Sequence, residues 1–217
     1  MTDVTSLRKS LTRSVTGLVL FALVTAGAVS FTRLMTSERI EENRYQAAAR
    51  LLYSLAPRTQ YQLDIRQPVQ LPAAPELGHQ QPFAAHLAWQ DDQLSMILLP
   101  ITAPDGYTGR IELLVALHLN GQIQGVRVLD HRETPGLGDK IEERKSDWIH
   151  RFDGLSLSNP ELSGWAVKKD GGEFDQFTGA TITPRAVVNS VKRSLLWLQT
   201  PEIQQLLSQM EQPNEQQ

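Results

Sequence analysis

An uninterrupted run of nineteen uncharged residues, 14–32, constrains this chain more than any other feature of its sequence. At about 1.5 Å of rise per residue, a helix of that length nearly spans a hydrocarbon core of about 30 Å. Arg8, Lys9 and Arg13 precede the run, and the positive-inside rule therefore places the N-terminus in the cytoplasm. We predict one transmembrane helix at 14–32, with the rest of the chain on the far side of the membrane.

A cleaved signal peptide is the alternative interpretation of the same segment. The basic start, the apolar run and the small residues Ala26-Gly27-Ala28 are all typical of such a peptide. Apolar residues continue past the cleavage point, at Val29 and Phe31, which favours a retained anchor. Both interpretations export the remainder of the chain.

The exported part is acidic and lacks cysteine. The whole chain has a net charge of -3, of which residues 1–33 contribute +3 and the remainder -6. An acidic body lacks the basic surface that binds a phosphate backbone, so nucleic acid is not expected as a partner. The absence of cysteine excludes Cys-ligated iron–sulfur and zinc sites, disulfides and thiol nucleophiles. No metal site is predicted from the five scattered histidines.

The first part of the exported chain is predicted to be helical and then irregular. Apolar residues recur at helical spacing over Ser37–Leu55, and Pro57 ends the pattern. This amphipathic helix either stands alone or extends the membrane helix. Residues 58–81 are rich in Pro and Gln, which is typical of a connector with at most one edge strand.

Two β-hairpins are predicted next. The first pairs 83–89 with 93–99 around Gln90-Asp91-Asp92. The second pairs 110–119 with 122–129 around Asn120-Gly121, a dipeptide typical of a type I′ turn. Together they predict an antiparallel sheet.

The C-terminal part is loop-rich up to one main helix. A short helix near Asp139–Ser146 and a strand at Trp165–Lys168 are predicted within the loops. Thr183 is predicted to cap the main helix, with Pro184 at its first position. A short helix over Glu202–Met210 and a disordered tail follow. The predicted buried stripe of the main helix comprises Val187, Val188, Val191, Leu195 and Leu198.

These elements predict an α+β fold, in which one transmembrane helix precedes one extracytoplasmic domain with an antiparallel sheet and flanking helices. The expected boundaries are 1–13 for a cytoplasmic N-terminus, 14–32 for the transmembrane helix, 33–81 for the amphipathic helix and connector, 82–200 for the main domain and 201–217 for a short helix and disordered tail.

The segment Asp175-Gln176-Phe177-Thr178-Gly179-Ala180-Thr181 directly precedes the main helix. A helix N-terminus stabilises phosphate through its unpaired N–H groups and its dipole. Gly179 and Ala180 allow close approach of the backbone, and Thr181 presents a hydroxyl beside that anion site. Because no His or Lys adjoins Thr181, a phosphoester at this hydroxyl requires a separate enzyme to form it. An ordinary loop that leads into a helix is the alternative interpretation.

This segment resembles the flavinylation motif Asp-x-x-Thr-Gly-Ala-Thr of FMN-binding domains that a flavin transferase modifies. Two further segments are similar to the same family, Gly106-Tyr107-x-Gly109-x-Ile111 and Glu133-Thr134-Pro135-Gly136-Leu137-Gly138. With a single N-terminal span, the chain resembles the family of G subunits of bacterial Rnf electron-transport complexes. The C subunit of the sodium-pumping NADH:quinone reductase is a near neighbour.

The resemblance implies that FMN is esterified through its phosphate to Thr181. It places Thr178, Gly179 and Ala180 in the cofactor site, and it implies that the transferase reads Asp175. In this interpretation Thr181 is an anchor, and no residue of the chain acts as a catalytic acid or base.

The resemblance also implies that Thr134, Leu137 and Gly138 lie near the isoalloxazine ring. Taken alone, the Pro135-Gly136 pair of that loop suits an ordinary type II turn. His131 is expected to be an exposed loop residue, and Lys168-Lys169 a solvated pair.

The function implied is that of an electron carrier in an inner-membrane complex of six subunits that links ferredoxin and NAD redox chemistry to ion movement. The main domain would then be periplasmic, and a flavin transferase would be needed for maturation. Two alternatives remain open. One is a stand-alone membrane-anchored flavin reductase of an external acceptor, and the other is an adaptor protein without a cofactor.

Overall fold

The computed structural model describes residues 3–211. The chain divides into two compact units, Met1–Arg50 and Leu51–Gln217. The tail 212–217, expected to be disordered, lies outside the described residues.

The first unit belongs to a single continuous helix. This helix, α1, spans Asp3–Leu55, and its segment Arg13–Arg33 has a mean hydropathy of 2.0 with none of it buried. That segment is long and apolar enough to cross a membrane, which confirms the helix predicted there. The amphipathic helix predicted up to Leu55 is the continuation of α1, which ends shortly before Pro57 because proline cannot continue the hydrogen-bond ladder.

The second unit begins with the last turn of α1 and the connector. Leu55 is fully buried, and a Cβ added to Gly125 would lie 2.7 Å from its Cδ2 atom. The connector contains two short strands, β1 (Gln62–Leu63) and β2 (Val69–Leu71), where the sequence predicted at most one. Both pair with the same longer strand, so the connector closes one edge of the sheet.

The sheet is antiparallel throughout and has the order β1-β3-β4-β5-β6, with β2 also paired to β3. Its four main strands are β3 (Phe83–Gln90), β4 (Gln93–Ala103), β5 (Ile111–His118) and β6 (Ile123–Asp130). Both predicted hairpins are confirmed.

The turns of the two hairpins differ from the prediction. Asp91 and Asp92 both have positive φ, 51° and 60°, which is the requirement of a two-residue type I′ turn. At the Asn-Gly pair only Gly121 has positive φ, 85°, and its N–H bonds to the carbonyl of His118 at 2.9 Å. The type I′ assignment of this second turn is therefore wrong, because the loop is longer than the two-residue hairpin and needs only one left-handed position.

Helix α2 (Ile182–Leu198) supplies the main helical contribution to the core. It packs against β4 and β5. The buried stripe predicted for this helix is confirmed, since each member is at most 1% exposed. A final helix, α3 (Pro201–Glu211), contains the predicted segment Glu202–Met210.

The long segment between β6 and α2 is held by short 3-10 turns and aromatic packing. The helix predicted near Asp139–Ser146 is wrong, because 3-10 helices form instead at Gly138–Ile141 and Asp147–Phe152. The strand predicted at Trp165–Lys168 is also wrong. Only one isolated β-bridge forms there, between Val167 and Phe174, because a 3-10 turn at Lys168–Asp170 reverses the chain directly after Val167.

Five aromatic residues explain how this irregular segment keeps one conformation. Each ring contacts at least one other ring of the group, and the centroid separations range from 4.9 to 6.3 Å. Such contacts add to the free energy gained by burying the rings. The cluster comprises Trp148, Phe152, Trp165, Phe174 and Phe177.

Candidate functional site

The Thr-Gly-Ala-Thr segment forms a tight turn that leads into α2. The Ala180 N–H donates to the Phe177 carbonyl at 3.1 Å, and Gly179 has φ +80°, a value that favours glycine. Thr178 and Gly179 are exposed at the tip. Phe177 is buried and its ring centroid lies 5.2 Å from that of Trp148, so the aromatic cluster anchors the turn.

Thr181 is the residue at the N-terminus of α2. It is partly buried, and its side chain makes no capping hydrogen bond. The predicted cap at Thr183 is wrong, because the helix begins at Ile182 and Thr183 is its second, fully buried residue. Pro184 therefore occupies the third position. Proline is tolerated there because the N–H groups of the first turn have no acceptor within the helix.

The Thr134–Gly138 loop forms the second half of the candidate site. The Leu137 and Gly138 N–H groups donate to the Thr134 carbonyl at 3.1 and 3.0 Å. Gly136 has φ +78°, as the third residue of a type II turn requires, and its N–H donates to Asp139 Oδ1 at 2.7 Å. The turn predicted from Pro135-Gly136 is confirmed.

These two loops lie against each other. A Cβ added to Gly179 would be 3.8 Å from Leu137 Cδ2. A Cβ added to Gly138 would be 2.8 Å from Thr183 Oγ1, closer than real side chains come. The structure therefore brings together segments that are about 40 residues apart in the sequence.

Glu133 joins the site to a third loop, which connects β4 to β5 and contains Thr108. No individual role was assigned to Glu133 from the sequence. It is only 4% exposed and accepts hydrogen bonds from the Thr108 N–H at 3.0 Å and from the Thr108 hydroxyl at 3.1 Å. The Thr183 hydroxyl donates to its other oxygen. Its donors lie 25 and 50 residues away in the chain, so a single sequence carries no local signal for this contact.

Asp175 lies between two cations. Its carboxylate contacts Lys168 Nζ at 2.5 Å and Arg151 at 3.9 Å. Lys168 and, more weakly, Arg151 hold the pKa of the Asp175 carboxyl below its ordinary value. Lys168 and Lys169 are both exposed, as expected of a solvated pair, and the ammonium group of Lys168 also pairs with this carboxylate.

His131 is also more buried than expected, with a side chain 12% exposed. Its Nδ1 accepts the Glu133 N–H at 3.0 Å, and its Nε2 lies 3.0 Å from Glu142 Oε1. In this arrangement Nδ1 is the acceptor, and Nε2–H can donate to the Glu142 carboxylate. Arg144, with a smaller effect from His131, lowers the pKa of Glu142.

Two protein families match this chain. Residues 106–196 match the FMN-binding domain family, which covers the three loops and most of α2. Residues 1–55 match the RnfG N-terminal region, which covers α1. The solved structure of NqrC from Shewanella oneidensis is similar at 21% identity and a TM-score of 0.49, over 70% of this chain and 73% of that one.

Several relatives are similar along most of their length. The G subunit of the ion-translocating oxidoreductase complex of Pseudomonas aeruginosa (strain UCBPP-PA14) is 48% identical over 87% of this chain and 88% of its own length. The corresponding proteins of Pectobacterium atrosepticum and Escherichia coli (strain K12) are 47% and 49% identical, over 89% and 84% of this chain and 94% and 88% of theirs. This chain therefore belongs to the family of G subunits of ion-translocating oxidoreductase complexes.

Proposed function

We propose that this protein carries electrons through an FMN bound covalently, as a phosphoester of Thr181. The observation that carries the proposal is the state of the Thr181 hydroxyl. Thr181 lies partly buried at the N-terminus of a 17-residue helix, and its hydroxyl makes no hydrogen bond that caps this helix. The match of residues 106–196 to FMN-binding domains supports the identity of the cofactor.

The surroundings of Thr181 fit the phosphate of FMN. The N–H groups of Ile182 and Thr183 have no acceptor within the helix, and the positive end of the helix dipole favours an anion. A Cβ added to Gly179 would meet only Leu137 within 4 Å, so the exposed side of this turn is open at Gly179.

Esterification requires an activated phosphate, because FMN itself would have to lose water or hydroxide. A flavin dinucleotide supplies one. The Thr181 oxygen forms a bond to the phosphorus next to the flavin, the pyrophosphate P–O bond breaks, AMP leaves, and the hydroxyl proton is released. The transferase provides the base, since no hydrogen bond joins the Thr181 hydroxyl to a basic side chain in the described chain.

We place the flavin ring against the loop that contains Thr134, Leu137 and Gly138. Leu137 is 42% exposed, an unusual state for a leucine between two closely packed loops, and it offers an apolar surface to an aromatic ring. Bound FMN supplies the redox chemistry, and the chain supplies position and electrostatics.

We further propose that α1 holds the protein in the inner membrane with residues 1–13 in the cytoplasm and the FMN-binding domain in the periplasm. The span is 14–32, the helix and connector 33–81, the domain 82–200 and the C-terminal segment 201–217. The partners are the five other members of a membrane complex that couples electron transfer to ion movement, and the flavin transferase that reads Asp175.

In-gel fluorescence of the denatured chain tests the covalent bond. Produced with an active flavin transferase, the wild-type band should fluoresce under ultraviolet light, and Thr181→Ala should be dark. Thr178→Ala should be modified more weakly at the same residue. A bright Thr181→Ala band beside a dark Thr178→Ala band would assign the bond to the other threonine. Dark bands throughout would contradict a covalent flavin.

A further inference from the structure

The buried carboxylate of Glu133 connects its own loop with the loop of Thr108 and with the first turn of α2. One oxygen receives both the Thr108 N–H and the Thr108 hydroxyl, and the other receives the Thr183 hydroxyl. Glu133 itself begins the loop that contains Leu137. All three hydrogen bonds come from uncharged donors, one backbone N–H and two hydroxyl groups.

Glycines allow the loops to close tightly around this carboxylate. A Cβ added to Gly106 would lie 2.9 Å from Glu133 Oε1 and 2.2 Å from the Gly109 carbonyl oxygen. A Cβ added to Gly138 would lie 3.0 Å from Glu133 Cβ and 3.0 Å from its Oε2. The backbone on both sides is therefore packed against Glu133, so that a movement of this side chain moves both loops.

Three exposed apolar side chains adjoin the residues that contact Glu133. Tyr107, which is 64% exposed, precedes Thr108, and Ile182, which is 43% exposed, precedes Thr183. Leu137 precedes Gly138 in the same way. Each of these three side chains therefore offers apolar surface next to a residue that contacts Glu133 or packs against it.

We propose that Glu133 is a positioning residue, which sets Thr181 and the loop of Leu137 in the geometry that flavin attachment requires. It acts through Thr183, two residues after Thr181, and through the loop of Leu137. The inference rests on the proposed function. It assigns to Glu133 no contact with the flavin and no step in the chemistry.

The rate of flavin attachment to the full-length chain tests this role. The unmodified chain in detergent is incubated with flavin transferase and FAD, and modified protein is followed by intact mass, at a temperature where circular dichroism shows every variant folded. Glu133→Ala should slow attachment about tenfold or more, since a misplacement of 1 Å can cost on the order of 100-fold. Glu133→Gln should keep most of the rate, because its amide oxygen still accepts from Thr108 and its amide NH2 can donate to the Thr183 hydroxyl oxygen in place of the lost bond.

A second pair of variants separates position from stability. Thr183→Val keeps the shape of the side chain and removes the donor, so it should slow attachment, whereas Thr183→Ser keeps the donor and should not. Adding Thr183→Val to Glu133→Ala should slow attachment no further, because both changes remove the same hydrogen bond. The visible absorption maximum of the attached flavin should shift in Thr183→Val and not in Thr183→Ser.

Glu112 provides the matched control. It also accepts a threonine hydroxyl, that of Thr102 at 2.7 Å, and it pairs with Arg110 at 3.0 Å. Glu112→Ala should leave the rate at the wild-type value. Wild-type rates in both Glu133→Ala and Thr183→Val would overturn the inference and leave the proposed function standing. A wild-type chain that never gains a flavin would overturn both.

Discussion

The Asp175 carboxylate is exposed at the surface although it forms ion pairs with Lys168 and Arg151. Its side chain is 50% exposed, and Lys168 keeps its pKa low, so the group is charged at neutral pH. The backbone at this position is fixed independently, because the Trp148 Nε1–H donates to the Asp175 carbonyl at 2.7 Å. The proposed flavin transferase would therefore meet an accessible anion in a fixed position six residues before Thr181.

Asp175→Ala should consequently give a folded chain without flavin. The exposed ion pairs contribute only about 0–1 kcal/mol to stability, so the thermal midpoint should change little. Asp170→Ala is the matched control, since Asp170 is also surface-exposed in the same segment and pairs with Arg185 at 2.5 Å. In-gel fluorescence should be lost in the first variant and retained in the second. Normal fluorescence in Asp175→Ala would remove Asp175 from the recognition motif.

The partly buried His86 should make the free energy of unfolding depend on pH. Burial lowers the pKa of this histidine, and its Nε2 lies 3.2 Å from the Ile65 carbonyl oxygen. The unfolded chain then binds the proton more readily than the folded chain. The free energy of unfolding should fall as pH drops below about 6.5 towards the lower folded-state pKa.

His86→Gln should lose this part of the pH dependence. Unfolding midpoints of both chains are measured between about pH 8 and pH 5, a range that brackets the ordinary histidine pKa. The wild type should lose more stability than the variant over the acid half of that range. Parallel curves would contradict the effect ascribed to His86.

Helix α2 links the core to the candidate site, because its buried face packs on the sheet while its first residue follows Thr181. Leu195 and Leu196 are adjacent in this helix but differ in environment, with 1% and 43% of their surface exposed. Leu195→Ala should lower the free energy of unfolding by about 2–5 kcal/mol, because it leaves a cavity in the core.

Leu196→Ala should change stability by no more than about 0.5 kcal/mol, because it removes little buried surface. Urea unfolding in detergent, followed by tryptophan emission, measures both variants. Equal losses in the two would contradict the assigned orientation of α2.

Elements with a regular hydrophobic period could be predicted from the sequence, and elements held by long-range contacts could not. The hairpins and the stripe of α2 follow from alternation and helical spacing. The segment around Trp165–Lys168 alternates weakly and is fixed instead by aromatic packing. The start of α2 was misplaced because proline is compatible with any position of the first turn, and Pro184 did not distinguish between them.

The same division holds within the candidate site. Thr181, Gly179 and the Thr134–Gly138 loop could be found from local motifs. Glu133 belongs to the same motif, but its buried contacts could not be predicted, since its partners come from distant segments and its burial is a property of the folded chain. A buried carboxylate has no signature in a single sequence that separates it from a solvated one.

At the scale of the whole molecule, one helix and the charges around it determine the topology. The basic residues Arg8, Lys9 and Arg13 precede the apolar segment of α1, and Arg33 alone ends it. This asymmetry predicts that the domain is on the non-cytoplasmic side. If the domain is exported, as we propose, a covalent bond would keep the flavin on the chain, since a dissociated FMN would be lost.

A reporter enzyme that is active only outside the cytoplasm, fused after Gln217, measures this topology. The fusion should be active and should remain with the membrane fraction after alkaline washing. An active but soluble fusion whose N-terminus begins near Val29 would instead identify a cleaved signal peptide. An inactive fusion would reverse the orientation.

The mass of the intact chain tests the central claim most directly. Chain produced with an active flavin transferase should be heavier than its sequence by the mass of FMN less one water. Fragmentation should place the whole increment on Thr181, and Thr181→Ala should have the mass of its sequence alone. An unmodified wild-type chain under those conditions, or an increment on another residue, would contradict the assignment of Thr181 as the covalent flavin anchor.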